Sequence, residues 1–439
     1  MSNSSLPVEV LQHIFSFACL PCHPRPPGCM PEAGCAECAN YALALGRICK
    51  QWRDIAWNMP ELWQRLDIIV TARDYEDDLA NKLQLVREWI ERSKSRPLTV
   101  SVQPLGQSYG YCSPLPVFNV LADYSKLLKD LYLHTTDDCL HMLNRNVRGH
   151  IPYLESLVIT RDRNAFSTPI TLDFISDAPL LRVLVYERLG LPRDRNPWPK
   201  LTRLAVHGNL DEPFHLGQLS PKLEYLRFGA HVNYMPMVTI PLRFLKSLVI
   251  DGTMRTLHHF DVPALESLVL INPDRHDHPL QALIDFMDRT QCDLQLRSLG
   301  IGLNFAFDVE ALRSILSRTV NIRHLYIGSF MASDYRALTR KIPSMLDPKA
   351  CEEDVLLPKL ETLHYYTVDP VRSADMLNMI KNRWHGSIGL SIGAGKDMAK
   401  LRKVRFAKWD EEVLAEKLKA EMKQGLEVTY DLSYFDDPF

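Results

Sequence analysis

The densest cluster of reactive side chains lies near the N-terminus. Cys19-x2-Cys22 and Cys35-x2-Cys38 stand twelve residues apart, with His23 and Cys29 between them. Two thiolates three positions apart can grip one side of a tetrahedral ion, and a second pair can close it. Cys19, Cys22, Cys35 and Cys38 are therefore candidate ligands for a structural zinc, the one cofactor the sequence suggests. The alternative is a loop of free thiols. Pro24, Pro26, Pro27, Pro31, Gly28 and Gly34 make the stretch irregular. Cys49, Cys112, Cys139, Cys292 and Cys351 are scattered, so no disulfide framework is expected.

Catalytic signatures fail on inspection. Gly393-Ala394-Gly395-Lys396 hints at a phosphate loop, but Leu390 fills the first glycine position and Asp397 stands where Ser or Thr is needed. Neither HExxH nor GxSxG occurs. His258-His259 and the pair His276 and His278 read as solvated loops rather than metal sites. Cys49 lies on an apolar stripe and is expected to be a buried, unreactive thiol. What remains is binding, by a chain that supplies no catalytic group.

Composition agrees. The 439 residues carry 51 Lys and Arg against 53 Asp and Glu, a net charge of −2, with 46% hydrophobic and 24% charged residues. Such a chain can bury a large core, and a near-neutral balance argues against a strongly basic nucleic-acid binder. No stretch reads as a membrane span, because the longest charge-free run, 97–122, holds Pro97, Pro104, Pro114 and Pro116. The N-terminus MSNSSLPVEV has no basic n-region and no long apolar h-region. The expectation is a cytoplasmic and/or nuclear protein that binds neither nucleic acid nor membrane.

Three helices are read at the N-terminus. Ser5 and Pro7 suit a helix start, and Val10, Leu11, Ile14, Phe15 and Ala18 follow at helical spacing. A second helix is expected from about Tyr41 to Ala56, with Leu45, Ile48, Cys49, Trp52, Ile55 and Ala56 as its stripe. A short third starts at Pro60 and ends near Leu66. This core is small, and such a unit tends to need a partner or a neighbouring domain.

The runs Leu6-Pro7-Val8-Glu9-Val10-Leu11-Gln12-His13-Ile14-Phe15, Ile48-Cys49-Lys50-Gln51-Trp52-Arg53-Asp54-Ile55-Ala56 and Pro60-Glu61-Leu62-Trp63 together resemble an F-box. The following Trp89-Ile90-Glu91-Arg92-Ser93 and Pro97-Leu98-Thr99-Val100-Ser101-Val102 resemble F-box proteins of mushroom-forming fungi. The resemblance implies binding to the Skp adaptor of a cullin-RING ubiquitin ligase. Leu6, Pro7, Leu11, Ile14, Ile48, Cys49, Trp52, Leu62 and Trp63 match family positions that form the core or the adaptor face; sequence does not sort the two. The Cys/Pro-rich insertion at 19–40 departs from the compact family pattern.

From residue 128 one pattern returns: apolar-x-x-Leu-x-apolar. Copies begin at Leu128, Leu154, Leu181, Leu201, Leu223, Leu245, Leu265, Leu296, Ile322, Leu360 and Leu401, with a mean spacing of 27.3 residues. This is the leucine-rich-repeat signature: positions 1, 4 and 6 point into a stack that each unit cannot complete alone. The expected fold class is α/β. A small three-helix F-box is followed by an irregular leucine-rich-repeat solenoid, with parallel strands on the concave side and helices and turns outside. Since asparagine at position 9 recurs only as Asn209 and Asn304, a partly flattened arc is expected.

The domain reading is 1–66 for the F-box with its insertion, 67–127 for a helix–strand entry cap, 128–409 for the solenoid, and 410–439 for a C-terminal cap helix, strand and tail. Motif positions 3, 5 and 7 should face a binding partner. They nominate Tyr225, Arg227, His324, Tyr326, His364, Tyr366, Lys403 and Arg405 for an unknown target protein. Two function classes follow. One is the substrate receptor of a Skp–cullin–F-box ligase. The other is a non-ligase repeat scaffold, with or without a zinc-braced N-terminal unit.

Overall fold

A computed structural model of the chain describes residues 6–18, 41–71, 76–105, 115–147, 150–161, 170–176, 178–187, 189, 198–207, 220–230, 239–271, 278–302, 309–329, 336–350, 355–367, 374–386, 398–407 and 415–431. Cys19, Cys22, Cys29, Cys35 and Cys38 lie outside these residues, as do 393–396, so the zinc reading falls on undescribed chain. The chain forms two compact units, Met1–Asp211 with Gln218–Ser220, and Glu212–Gly217 with Pro221–Phe439.

The first unit opens with α1 (Val8–Ala18), α2 (Tyr41–Ile48), α3 (Lys50–Trp57) and a 3-10 turn, Pro60–Trp63. The Pro7 carbonyl accepts from Val10 and Leu11, each at 3.1 Å, which closes the first turn of α1. The single helix expected over 41–56 is broken at Cys49, whose backbone is extended (φ −160°, ψ 170°). Its Sγ accepts the Trp52 N–H at 3.4 Å, capping α3 where no upstream carbonyl reaches. Cys49 is therefore an exposed cap, and the expectation of a buried thiol is corrected. Leu11, Phe15, Ala42, Leu45, Ile55 and Ala56 form the small core between these helices.

The unit continues as β1 (Arg65–Thr71), α4 (Glu76–Arg92), β2 (Leu98–Leu105), α5 (Leu115–Asp123), β3 (Leu128–Thr135), α6 (Asp137–Asn146), β4 (Ser156–Arg161), β5 (Val183–Glu187) and β6 (Arg203–His207). These strands lie side by side in chain order, all parallel. The expected end of a helix near Leu66 is instead the start of β1. Trp63-x-x-Leu66-x-Ile68 fits the repeat pattern, and register sets Leu66 and Ile68 beside Val100 and Val102. A register shift at Leu98 sets it beside Leu128 and Thr99 beside Asp130, so β2 reaches the same pattern one residue short.

The second unit holds β7 (Tyr225–Ala230), β8 (Ile240–Pro241), β9 (Ser247–Gly252), β10 (Phe260–Asp261), β11 (Ser267–Ile271), α7 (Pro279–Thr290), β12 (Ser298–Gly302), α8 (Val309–Arg318) and β13 (His324–Ser329). Then come α9 (Arg336–Leu346), β14 (Thr362–Thr367), α10 (Ala374–His385), β15 (Lys403–Ala407), α11 (Lys419–Lys423) and β16 (Glu427–Asp431). Strands β7, β9 and β11 to β16 form one parallel ladder in chain order. The short β8 and β10 pair separately.

Leu245, Leu248, Leu265, Leu268, Leu296 and Leu299 are each 0% exposed, as a stack of repeats requires. Each such side chain contributes roughly 1.5–3 kcal/mol by leaving water. Interval length sets what crosses between strands. The intervals that open at Leu265, Leu296, Ile322 and Leu360, of 31, 26, 38 and 41 residues, hold α7 to α10. The interval of 20 residues from Leu245 has room only for the 3-10 turn Met254–His259. Parallel neighbours need such crossovers because a hairpin cannot join them.

Arg383, on α10, is 0% exposed. It donates to the carbonyls of Leu346 at 2.7 Å, Leu356 at 2.6 Å and Leu357 at 3.1 Å. Leu357 is left-handed (φ 50°), and the guanidinium fork holds that turn against α10. The fold class is thus α/β, a small helical unit followed by a leucine-rich-repeat ladder of parallel strands alternating with helices and turns.

Candidate functional site

Two surfaces carry the residues nominated by sequence. The first belongs to the N-terminal helices. Leu6, just before α1, and Val10, Ile14 and Phe17 on it recur at helical spacing and stand exposed beside the buried Leu11 and Phe15. Phe17 is 62% and Ile48 60% exposed, large values for apolar side chains on so small a unit. A groove of about 510 Å³ opens alongside, lined by Val8, Gln12, Lys50, Asp54 and Asn58 among others.

Burial sorts the nine adaptor candidates. Leu6, Pro7, Ile14, Ile48 and Cys49 are exposed, and Trp52 is half-buried against Phe15 with ring centroids 4.9 Å apart. Leu11, Leu62 and Trp63 lie in the unit's own core. Val8, Val10 and Phe17 join the exposed set beyond the nine candidates; their signal is the high apolar content of α1, too much for one buried stripe.

This surface is rigidly mounted. Trp63 donates its Nε1–H to the Ala56 carbonyl at 2.9 Å and meets Trp89 edge-on, centroids 4.7 Å apart. The Arg92 guanidinium sits 4.8 Å from the Trp57 ring and 4.9 Å from the Trp63 ring. Glu88 holds it at 3.0 Å, and Arg96 pairs with Glu61 at 2.6 Å. Cation–π contacts of this kind are worth about 0.5–2 kcal/mol each. Together they lock the helices to α4 and to the start of β2.

The second surface is the strand ladder. Register places Tyr326 beside His364, and His364 beside Arg405. Tyr326 and His364 meet edge-on at 4.3 Å, with Tyr366 6.5 Å from the imidazole. His324, Lys403 and Arg405 are half-buried around them. Tyr225 and Arg227 lie on β7, separated from this group by β9, β11 and β12, so the eight candidates do not form one site. Arg227 pairs with Asp251 at 3.9 Å.

The rings are less open than motif position implies. Tyr225, Tyr326, His364 and Tyr366 are all buried, as are Val249 and Val269 in the same rows. Lateral packing explains part of this: a Cβ built on Gly300 would lie 2.8 Å from Val269 Cγ1, so the valine already fills its neighbour's side-chain space. Burial, then the Arg405, Lys403 and His324 charges, hold the His364 imidazole down to about 3. Burial pushes the Tyr326 hydroxyl up to about 12 and that of Tyr366 upward. At neutral pH the group is a neutral histidine between two protonated phenols, a hydrogen-bonding surface with no activated base or nucleophile.

The thiols of Cys139 and Cys292 are likewise pushed up by burial and are unsuited to nucleophilic work. Among the described residues no group of three His, Cys, Asp or Glu side chains could hold a metal ion. Nor is any described helix long and apolar enough to cross a membrane. No curated protein matches the chain. Residues 3–69 match a family model described as F-box-like. The chain thus carries an F-box-like domain at its N-terminus, and the parallel strand ladder of leucine-rich-repeat type follows it.

Proposed function

We propose that the protein is the substrate-recognition subunit of a Skp–cullin–F-box ubiquitin ligase. In this reading α1 and α3 dock to the Skp adaptor, and the strand ladder holds a target protein whose lysines are thereby brought near a recruited ubiquitin-conjugating enzyme. The chain contributes proximity and no catalytic group. The observation that carries it is the exposed apolar row Leu6, Val10, Ile14, Phe17 and Ile48, within the segment matched as F-box-like. Apolar residues so placed on a marginal helical unit are completed by a partner.

Leu6, Pro7, Ile14, Ile48, Cys49 and Trp52 would meet the adaptor, with Leu11, Leu62 and Trp63 shaping the face from beneath. Tyr326, His364, Tyr366, His324, Lys403 and Arg405 would form one target surface, with Tyr225 and Arg227 as a separate contact. The domain division is proposed with it, the boundary expected at 66 moved beyond β1 to residue 71 and those at 127/128 and 409/410 kept, as is the cytoplasmic and/or nuclear setting. Kinship with F-box proteins of mushroom-forming fungi is proposed from the run Trp89 to Val102 and from a looser resemblance over most of the chain.

Co-purification of the full chain with a Skp adaptor tests the proposal. Leu6→Asp with Ile14→Asp should abolish a complex that the parent chain forms, without changing the melting temperature. No complex with the parent chain at micromolar concentration would leave the repeat scaffold as the reading.

A further inference from the structure

Position 2 of each repeat stands just before the strand, on the edge where the chain enters the ladder. In the second unit these residues are Glu224, Lys246, Glu266, Arg297, Arg323, Glu361 and Arg402. They are tied in sequence through the backbone, each N–H donating to the preceding carbonyl at 2.7–2.9 Å. Their side chains therefore form a row of charges at strand spacing, about 4.8 Å. The signs alternate along it, and the pairs Glu224–Lys246 at 3.0 Å, Glu266–Arg297 at 4.0 Å and Arg323–Glu361 at 3.7 Å follow.

The alternation breaks once, where Arg297 stands beside Arg323. Like charges directly opposite one another are destabilising, and departures from local consistency are expected at functional positions. A cavity of about 500 Å³ lies at this junction, lined by Glu266, Leu294, Arg297, Asn321, Arg323 and Lys359 among others. A third cation is held there: Lys359 Nζ donates to Asn321 Oδ1 at 2.7 Å, and Asn321 Nδ2 donates to the Leu294 carbonyl at 2.7 Å. The carboxylates of Glu266 and Glu361 lie beyond hydrogen-bond reach of Arg297 and Arg323. Nearby Asp293 is already engaged by Arg318 at 3.4 Å. Three cations face one carboxylate in the lining, and two guanidinium forks have donors to spare.

We infer that this groove binds an acidic, carboxylate-rich segment of a partner protein. The cations are spread along successive strand edges, which suits a run of charges on an extended chain better than a single enclosed ion. Leu294, 63% exposed at the rim, offers an apolar contact beside them. The inference concerns a different edge from the sheet rows offered above for a target, and it does not rest on the ligase reading.

The test is fluorescence anisotropy of a labelled polyglutamate peptide titrated with the full chain at low salt. Saturable binding that weakens as salt is added is expected. Arg297→Glu with Arg323→Glu should weaken it by about tenfold or more, while Lys246→Glu, on the same row, should leave it near the parent value. Both arginines are exposed, and an unchanged melting curve checks that the double variant is folded. Equal binding by parent and double variant, or no saturable binding by the parent, overturns the inference. So does a site that ignores polyglutamate and takes only a phosphoserine peptide.

Discussion

The N-terminal helices and the strand ladder handle apolar side chains in opposite ways. In α1 and the residues just before it, Leu6, Val10, Ile14 and Phe17 remain exposed while only Leu11 and Phe15 are buried. In the ladder, Leu226, Leu248, Leu268, Leu299, Leu325 and Leu363 are all 0% exposed. Both regions are rich in leucine-type residues, so hydrophobicity alone does not separate them. The ladder's repeats cover one another because the next copy supplies the missing wall. Among the described residues the helical unit has no such neighbour for its outer face, so residue types that serve stability in the ladder are, in the proposed reading, left for association in the helices.

The largest effect expected from breaking this comparison is a double dissociation. Leu6→Asp with Ile14→Asp should remove adaptor binding entirely at unchanged stability. Leu268→Ala should cost about 3 kcal/mol of stability in a chemical-denaturation curve, with adaptor binding retained. If both variants lost stability together, the exposed face would be structural and the contrast would fail.

Arg383→Met should come next. It strands the carbonyls of Leu346 and Leu356 in the second unit's interior, while that of Leu357 keeps the Leu360 N–H, and each unpaired group costs about 1–3 kcal/mol. The melting transition should fall accordingly, while co-purification with the adaptor survives. A melting point equal to the parent's would show that the turn at Leu357 holds without the clamp.

His364 gives a smaller, pH-dependent effect. An unfolded histidine takes its proton near 6.5, and the folded one only near 3. Between those values the unfolded state holds more protons, so stability falls as pH drops through that window and is fully restored above it. The loss is on the order of 5 kcal/mol at the acid end. Equilibrium unfolding at stepped pH should show a shallower acid slope for His364→Gln; an unchanged slope would assign the acid sensitivity to other groups.

The smallest effect is expected at Ser267. Register sets its side chain between Ser247 and Ser298, and none of the three Oγ atoms has a hydrogen-bond partner among the described residues. A buried hydroxyl without a partner is a liability, so Ser267→Ala should be neutral or stabilising by about 1 kcal/mol. A loss of more than that would mean the hydroxyl has work that its surroundings do not reveal.

The ladder was legible in the sequence because burial at positions 1, 4 and 6 is what writes the leucine period. Its extension to β1 is harder to see, although Leu66, Ile68 and Val70 alternate as a strand should, because the helical residues just before them mask the change of period. The break at Cys49 was hidden because an exposed cap and a buried core position can share one apolar stripe. At the sheet rows, motif position told the direction of Tyr326 and His364 but nothing of their lateral cover, which depends on neighbours such as Val269 leaning over Gly300. The Arg297–Arg323 junction was readable in principle from the order of signs at position 2. That order has meaning only once the strands are placed side by side.

Trp63 ends one architecture and begins another. Its indole closes the helical core, yet it occupies position 1 of the first repeat, and the very next carbonyl, that of Gln64, already accepts from Thr99 at 2.8 Å. The two regions therefore share a residue rather than a hinge. Anyone grafting this N-terminus onto a different array would have to cut beyond residue 71 and carry β1 along. A seam placed at residue 66 would divide a strand.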